Sequence, residues 1–90
     1  SVNAFYNKQR LKQVLTLEEQ IEKNAEQATV LTNLMSSGYI EPEVFHAENN
    51  RLTLEADSLA RNKQLIVKSI NGDLSHLDEA QKFAGLYKLA

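Results

Sequence analysis

Ninety residues, 42% hydrophobic and 24% charged, with three Gly, one Pro and no Cys, predict a soluble chain with room for one small core. The missing cysteines exclude a disulfide scaffold, a Cys-ligated zinc site and a thiol nucleophile, and a net charge of −2 argues against a freestanding nucleic-acid binder, which carries a basic excess. No apolar run approaches the roughly 18 residues of a membrane span and Ser1-Val2-Asn3-Ala4 lacks the regions of a signal peptide, so the expected location is cytoplasmic.

The first element is a long helix over about 4–37. Between Phe5 and Ser37 there is no Pro or Gly, and Leu, Lys, Gln, Glu and Ala dominate. Val14, Leu17, Ile21, Ala28, Leu31 and Met35 alternate in steps of three and four, with Asn24 where the next apolar residue was due. That is a coiled-coil seam. Leu11, Leu15, Ala25 and Leu34 widen it on its flanks, as a third element lying over part of it would require.

A turn over 38–41 follows. Gly38 can take the left-handed conformation that closes a helix, with Tyr39 folding back on Leu34. Pro42 presets the first helical position, Glu43 suits the positive end of the helix dipole, and Ile40 can staple against Phe45. Glu41 is a weak N-cap, because Ser, Thr, Asp or Asn would satisfy the free amides better.

The second helix is expected over about 42–71. Phe45, Leu52, Ala56, Leu59, Ile66 and Ile70 keep heptad spacing, interrupted by Asn49 and Lys63. So short a turn makes the two helices antiparallel, with facing residues whose numbers sum to roughly 80. Met35 then faces Phe45, Ala28 faces Leu52, Ile21 faces Leu59 and Val14 faces Ile66. Asn24 meets the small Ala56, where a water or a backbone carbonyl can satisfy its amide. Each arm is on the order of 45 Å long.

Asn71-Gly72-Asp73 signals a second turn over 72–75, and Ser75 with Asp78 forms an imperfect capping box for a short helix over about 76–89. Leu77, Ala80, Phe83, Ala84, Tyr87 and Ala90 lie near one face, broadened by Leu86 and Leu89, and should fold back on the open end near Phe5, Tyr6 and Leu11. The fold class is therefore all-α: a long antiparallel two-helix coiled-coil hairpin with a short third C-terminal helix. Residues 1–90 read as one helical unit, and the missing initiator Met reads as the mark of a larger parent.

Charge is sorted along the hairpin. Residues 1–17 and 58–72 together hold six cations and no acid, whereas residues 18–57 hold nine acids against Lys23 and Arg51. A basic root and an acidic tip suit a spoke whose base lies near phosphates; the alternative is ordinary solvated charge on helix faces.

No catalytic constellation is visible, so no enzymatic activity is expected of this segment. His46 and His76 are thirty residues apart and neither belongs to a metal-binding pair. Glu18, Glu19, Glu22 and Glu26 read as an exposed helix face without converging ligands. Gly38, Gly72 and Gly85 form no phosphate-cradling loop; Gly85 weakens the last helix or permits close approach of another backbone. No cofactor, metal or small-molecule substrate is expected. The tip is the candidate site: Tyr39, Ile40, Glu41, Glu43 and Phe45 gather at a protruding end. Ile40 and Phe45 serve the turn itself, and Tyr39, amphipathic and aromatic, is the best candidate to touch a protein partner.

The stretch Leu34-Met35-Ser36-Ser37-Gly38-Tyr39-Ile40-Glu41-Pro42-Glu43-Val44-Phe45, between two heptad-bearing helices, resembles the coiled-coil insertion of large serine-type site-specific recombinases of the resolvase/invertase class. Those proteins often read G-x-I-x-x-E-x-F at this turn. The resemblance covers about residues 15–70, and Asp78 to Leu89 is similar to the helix that follows the insertion. Glu41 departs from the usual Ser, Thr or Asp cap, and the family's zinc ribbon and catalytic domain are not in this segment. The resemblance implies protein–protein contact between coiled coils of recombinase subunits during synapsis of mobile-element DNA. It also implies a bacterial cytoplasmic setting, self-association or a partner coiled coil, and DNA contact only through the parent protein. The rival reading is a helical adaptor or scaffold that binds a partner protein and has no DNA role.

Overall fold

The computed structural model describes residues 2–75, 77–78 and 80–84. Two helices, α1 (Val2–Ser36) and α2 (Pro42–Asp73), pack against each other as a hairpin measuring 55 × 20 × 17 Å. A short third helix follows, of which residues 80–84 are described, and no strand occurs among the described residues.

The reversal between the helices is a double main-chain lock. Gly38 adopts φ +78° and donates to the Met35 carbonyl at 3.1 Å, while the Tyr39 N–H reaches the Leu34 carbonyl at 2.9 Å. This pair of bonds satisfies carbonyls that the end of α1 leaves without partners. Pro42 then opens α2 behind Glu41, whose extended backbone supplies the carbonyl for the first helical bond from Phe45 at 3.0 Å. The Glu41 side chain makes no cap hydrogen bond. A carboxylate one methylene longer than aspartate overreaches the first-turn amides. Tyr39 is 78% exposed, so only its backbone, and not its ring, is used in closing α1.

The seam follows the heptads. Val14, Leu52 and Ile70 are buried, and Leu17, Ile21, Ala28, Leu31, Met35, Phe45, Ala56, Leu59 and Ile66 are half-buried along it. Val14 packs in one cluster with Ile66 and Ile70, and Lys63 meets Glu18 at 3.2 Å, contacts that fix the antiparallel register near the expected sum. Lys63 lies on the seam itself; its stem covers the apolar stripe while the ammonium reaches outward to the carboxylate. Asn24, 6% exposed, donates to the Leu52 carbonyl at 3.0 Å. That carbonyl faces the helical level of Ala56, whose small side chain leaves it accessible.

The flanks differ from expectation. Leu11 is half-buried, but Leu15 is 54% exposed, Ala25 is exposed and Leu34 is 37% exposed. Two helices cover only the seam between them; a flank is buried only where a third element lies, and among the described residues that happens at one place. The chain leaving α2 places Leu74 and Leu77 on the Val14–Ile70 cluster. Among the described residues, Phe5 and Tyr6 stay 59% and 53% exposed and pack edge-on against each other.

The end of α2 also differs. The helix runs through Gly72 to Asp73 rather than stopping at Asn71-Gly72-Asp73, and Gly72 lacks the positive φ of a cap. Two more residues of helix bring Leu74 into the core, a gain the local turn preference does not outweigh. Ser75 donates from its hydroxyl to the Gly72 carbonyl at 2.9 Å, closing α2 rather than opening the next helix. The capping box is instead Asp78 with Gln81: Gln81 N–H donates to Asp78 Oδ1 at 2.8 Å, and Asp78 N–H donates to Gln81 Oε1 at 3.0 Å. Phe83 at this helix is 73% exposed. Gly85, Leu86, Tyr87, Leu89 and Ala90, expected to extend it, lie outside the described residues, as does His76.

Candidate functional site

The hairpin turn gathers the five tip residues at one end of the rod. Tyr39, Glu41 and Glu43 are exposed, while Ile40 and Phe45 are half-buried, the arrangement of a hydrophobic residue before the cap stapled to one in the first turn. His46 stands edge-on to the Phe45 ring at 5.5 Å and is exposed. The result is a blunt end with one protruding aromatic ring and two carboxylates beside it. Such a surface can dock on another protein; it contains no nucleophile paired with a base. No group of three or more His, Cys, Asp or Glu able to hold a metal ion occurs among the described residues.

At the opposite end, a polar cluster sits where the pattern of apolar residues gives no hint of a seam. Asn7 is only 3% exposed, and its Oδ1 accepts from Arg10 Nη1 at 2.9 Å; the same guanidinium nitrogen pairs with Asp73 of α2. Seven-residue spacing carries Val14 back to Asn7 and Ile66 on to Asp73, so the seam continues as hydrogen bonds where it ceases to be apolar. The signal was in the spacing and not in the hydropathy. No buried side-chain nitrogen or oxygen among the described residues lacks a partner.

The paired cations revise the charge map. Arg10 and Lys63 are neutralised within the hairpin, and Arg51 bridges Glu48 at 3.1 Å and Glu55 at 3.2 Å. Lys8, Lys12, Arg61 and Lys68 at the root and Lys23, Glu19, Glu22, Glu26, Glu41, Glu43 and Asp57 in the distal arm are left without ion pairs among the described residues.

One flank of the seam carries a groove of about 610 Å³ near the root, floored by Leu17, Leu65 and Ile66 and rimmed by Gln13, Gln20 and Asn62. The opposite flank is closed at this level by the turn that carries Leu74 and Leu77.

No helix of the described residues is long and apolar enough to cross a membrane. No family model, no curated protein and no solved structure matches this chain.

Proposed function

We propose that this chain is a non-catalytic protein–protein contact module, the coiled-coil segment through which subunits of a bacterial, cytoplasmic site-specific DNA recombinase meet during synapsis. The observation that carries this reading is the exposure of Tyr39 on a turn that closes without its side chain. A buried or stapling tyrosine would belong to the fold, whereas this one presents an aromatic face and a hydroxyl to whatever approaches the tip. The turn sequence Gly38, Ile40, Glu43 and Phe45, matching the pattern common in serine recombinases, supports the narrower family reading. Docking is reversible and involves Tyr39, Ile40, Glu41, Glu43 and Phe45; DNA is held by other parts of the parent, and no cofactor takes part.

The test uses the parent recombinase. Tyr39→Ala should leave binding to a single recombination site unchanged and abolish the pairing of two sites in a gel-shift assay. Unimpaired pairing overturns the tip assignment. A parent chain with neither a serine catalytic domain nor a cysteine-rich zinc ribbon would favour the helical adaptor, for which the exposed groove near the root is the specific supporting observation.

A further inference from the structure

The end of α2 sets a reactive pair of residues inside a helix. Asn71 is the one asparagine of this chain that precedes glycine, and both Asn71 and Gly72 are exposed in the last turn of α2. The Asn71 side-chain amide makes no hydrogen bond among the described residues, unlike the buried Asn7 and Asn24. A Cβ built on Gly72 would meet nothing within 4 Å, so the approach to its backbone nitrogen is sterically open. What stands in the way is main-chain conformation. A helical ψ at Asn71 turns the Gly72 nitrogen away from the Asn71 side-chain carbonyl carbon, and the Gly72 N–H is committed to the carbonyl four residues back.

We propose that Asn71–Gly72 is a self-modification site held latent by the fold of the root, and that its reaction releases the turn carrying Leu74 and Leu77. Once the last turn of α2 unwinds, the Gly72 nitrogen attacks the Asn71 side-chain carbonyl carbon. The new C–N bond closes a five-membered imide while the bond to the amide nitrogen breaks, and the Gly72 N–H proton leaves with that nitrogen as ammonia. Water then opens the imide at either carbonyl, giving aspartate or its β-linked isomer with no change of oxidation state. Local and cross-helix contacts oppose the unwinding. Leu74 is 8% exposed in the Val14–Ile70 cluster, Arg10 holds Asp73, and the Ser75 hydroxyl donates to the Gly72 carbonyl at 2.9 Å. The β-linked product carries an extra main-chain methylene, which breaks the ladder of helical hydrogen bonds and moves Asp73 and Leu74 out of phase with α1. Opening is therefore reversible before the reaction and permanent after it. The site lies at the root and does not rest on the tip contact or on any role with DNA.

The test incubates the folded 90-residue chain beside a peptide of residues 68–75 at neutral pH and body temperature. Peptide mapping that separates the β-linked form reads conversion at residue 71. Conversion in the folded chain should run at least about tenfold slower than in the peptide, because it proceeds through local opening. Ser75→Ala should speed it by about two- to fivefold and Leu74→Ala by about tenfold, as each removes a contact that holds the last turn. Asn33 and Asn62, exposed on α1 and α2 but not followed by glycine, should stay unconverted in the same chains. Should circular dichroism show Leu74→Ala to be unfolded, Ser75→Ala alone decides. In the converted chain, hydrogen exchange at the Leu74 amide should be fast while the seam around Asn24 and Leu52 stays protected. Equal rates in chain and peptide, no acceleration in the folded variants, or a converted chain that still protects the Leu74 amide overturns the proposal.

Discussion

Asn24 on α1 gives its side-chain amide to the main-chain oxygen of Leu52 on α2, at 3.0 Å, inside the seam. The acceptor already serves the helical N–H four residues on, so the bond uses a spare lone pair and leaves nothing unsatisfied if removed. A single polar residue at such a place ties one register to one geometry, because sliding either helix by a turn buries the amide against apolar neighbours.

Asn24→Leu should therefore raise stability by about 1–2 kcal/mol, since burial of the larger apolar group opposite Ala56 outweighs the lost neutral hydrogen bond. Thermal unfolding followed by circular dichroism should show a higher midpoint. The same variant should lose uniqueness of pairing, visible as additional species in sedimentation velocity. A lower midpoint would show that the amide contributes more than the apolar contact that replaces it.

Arg10 contacts both Asn7 and Asp73, and its side chain keeps 30% of its exposure, so solvent discounts the ion pair. Arg10→Ala should cost about 1–2 kcal/mol, mostly by stranding the buried Asn7 oxygen rather than by losing the charge pair. In a double-mutant cycle, Asp73→Ala added to Arg10→Ala should cost little more. Strictly additive losses in urea unfolding would place the two residues in separate contributions.

The two described glycines should respond oppositely to alanine. Gly38 has φ +78° and open space around a built Cβ, so Gly38→Ala should destabilise by about 1 kcal/mol through backbone strain alone. Gly72 sits inside α2 without that φ and also has open space, so Gly72→Ala should stabilise by about 0.5–1 kcal/mol. Chemical denaturation of both variants side by side reads the contrast directly.

Leu59→Asp places a charge on the seam opposite Ile21, where the adjacent cation, Lys63 one turn on, is already held by Glu18. The cost, about 3 kcal/mol or more, exceeds what so small a core can absorb, and the helical signal at 25 °C should collapse. Retention of that signal would contradict the register.

The rods and their reversal were legible because long Gly- and Pro-free stretches with heptad spacing admit few alternatives, and Gly38 followed by Ile40, Pro42 and Phe45 marks both sides of one turn. The polar root was not. Asn7, Arg10 and Asp73 continue the seven-residue spacing but vanish from an apolar pattern, which registers what avoids water and not what pairs. Gly72 misled because local turn chemistry ignores the distant burial of Leu74. The Asp78–Gln81 box is spelled in the sequence as plainly as Ser75–Asp78, and with the better partner, since Gln can reach back to an amide. At the tip, residue types mark a closure, but the solvent exposure of the Tyr39 ring depends on three-dimensional direction.

Residue 39 enters the hairpin bend through its backbone N–H alone, and its 78% exposed ring adds nothing to the closure. A sequence can therefore drift at that ring without disturbing the rods beneath, since the fold asks of residue 39 only its amide.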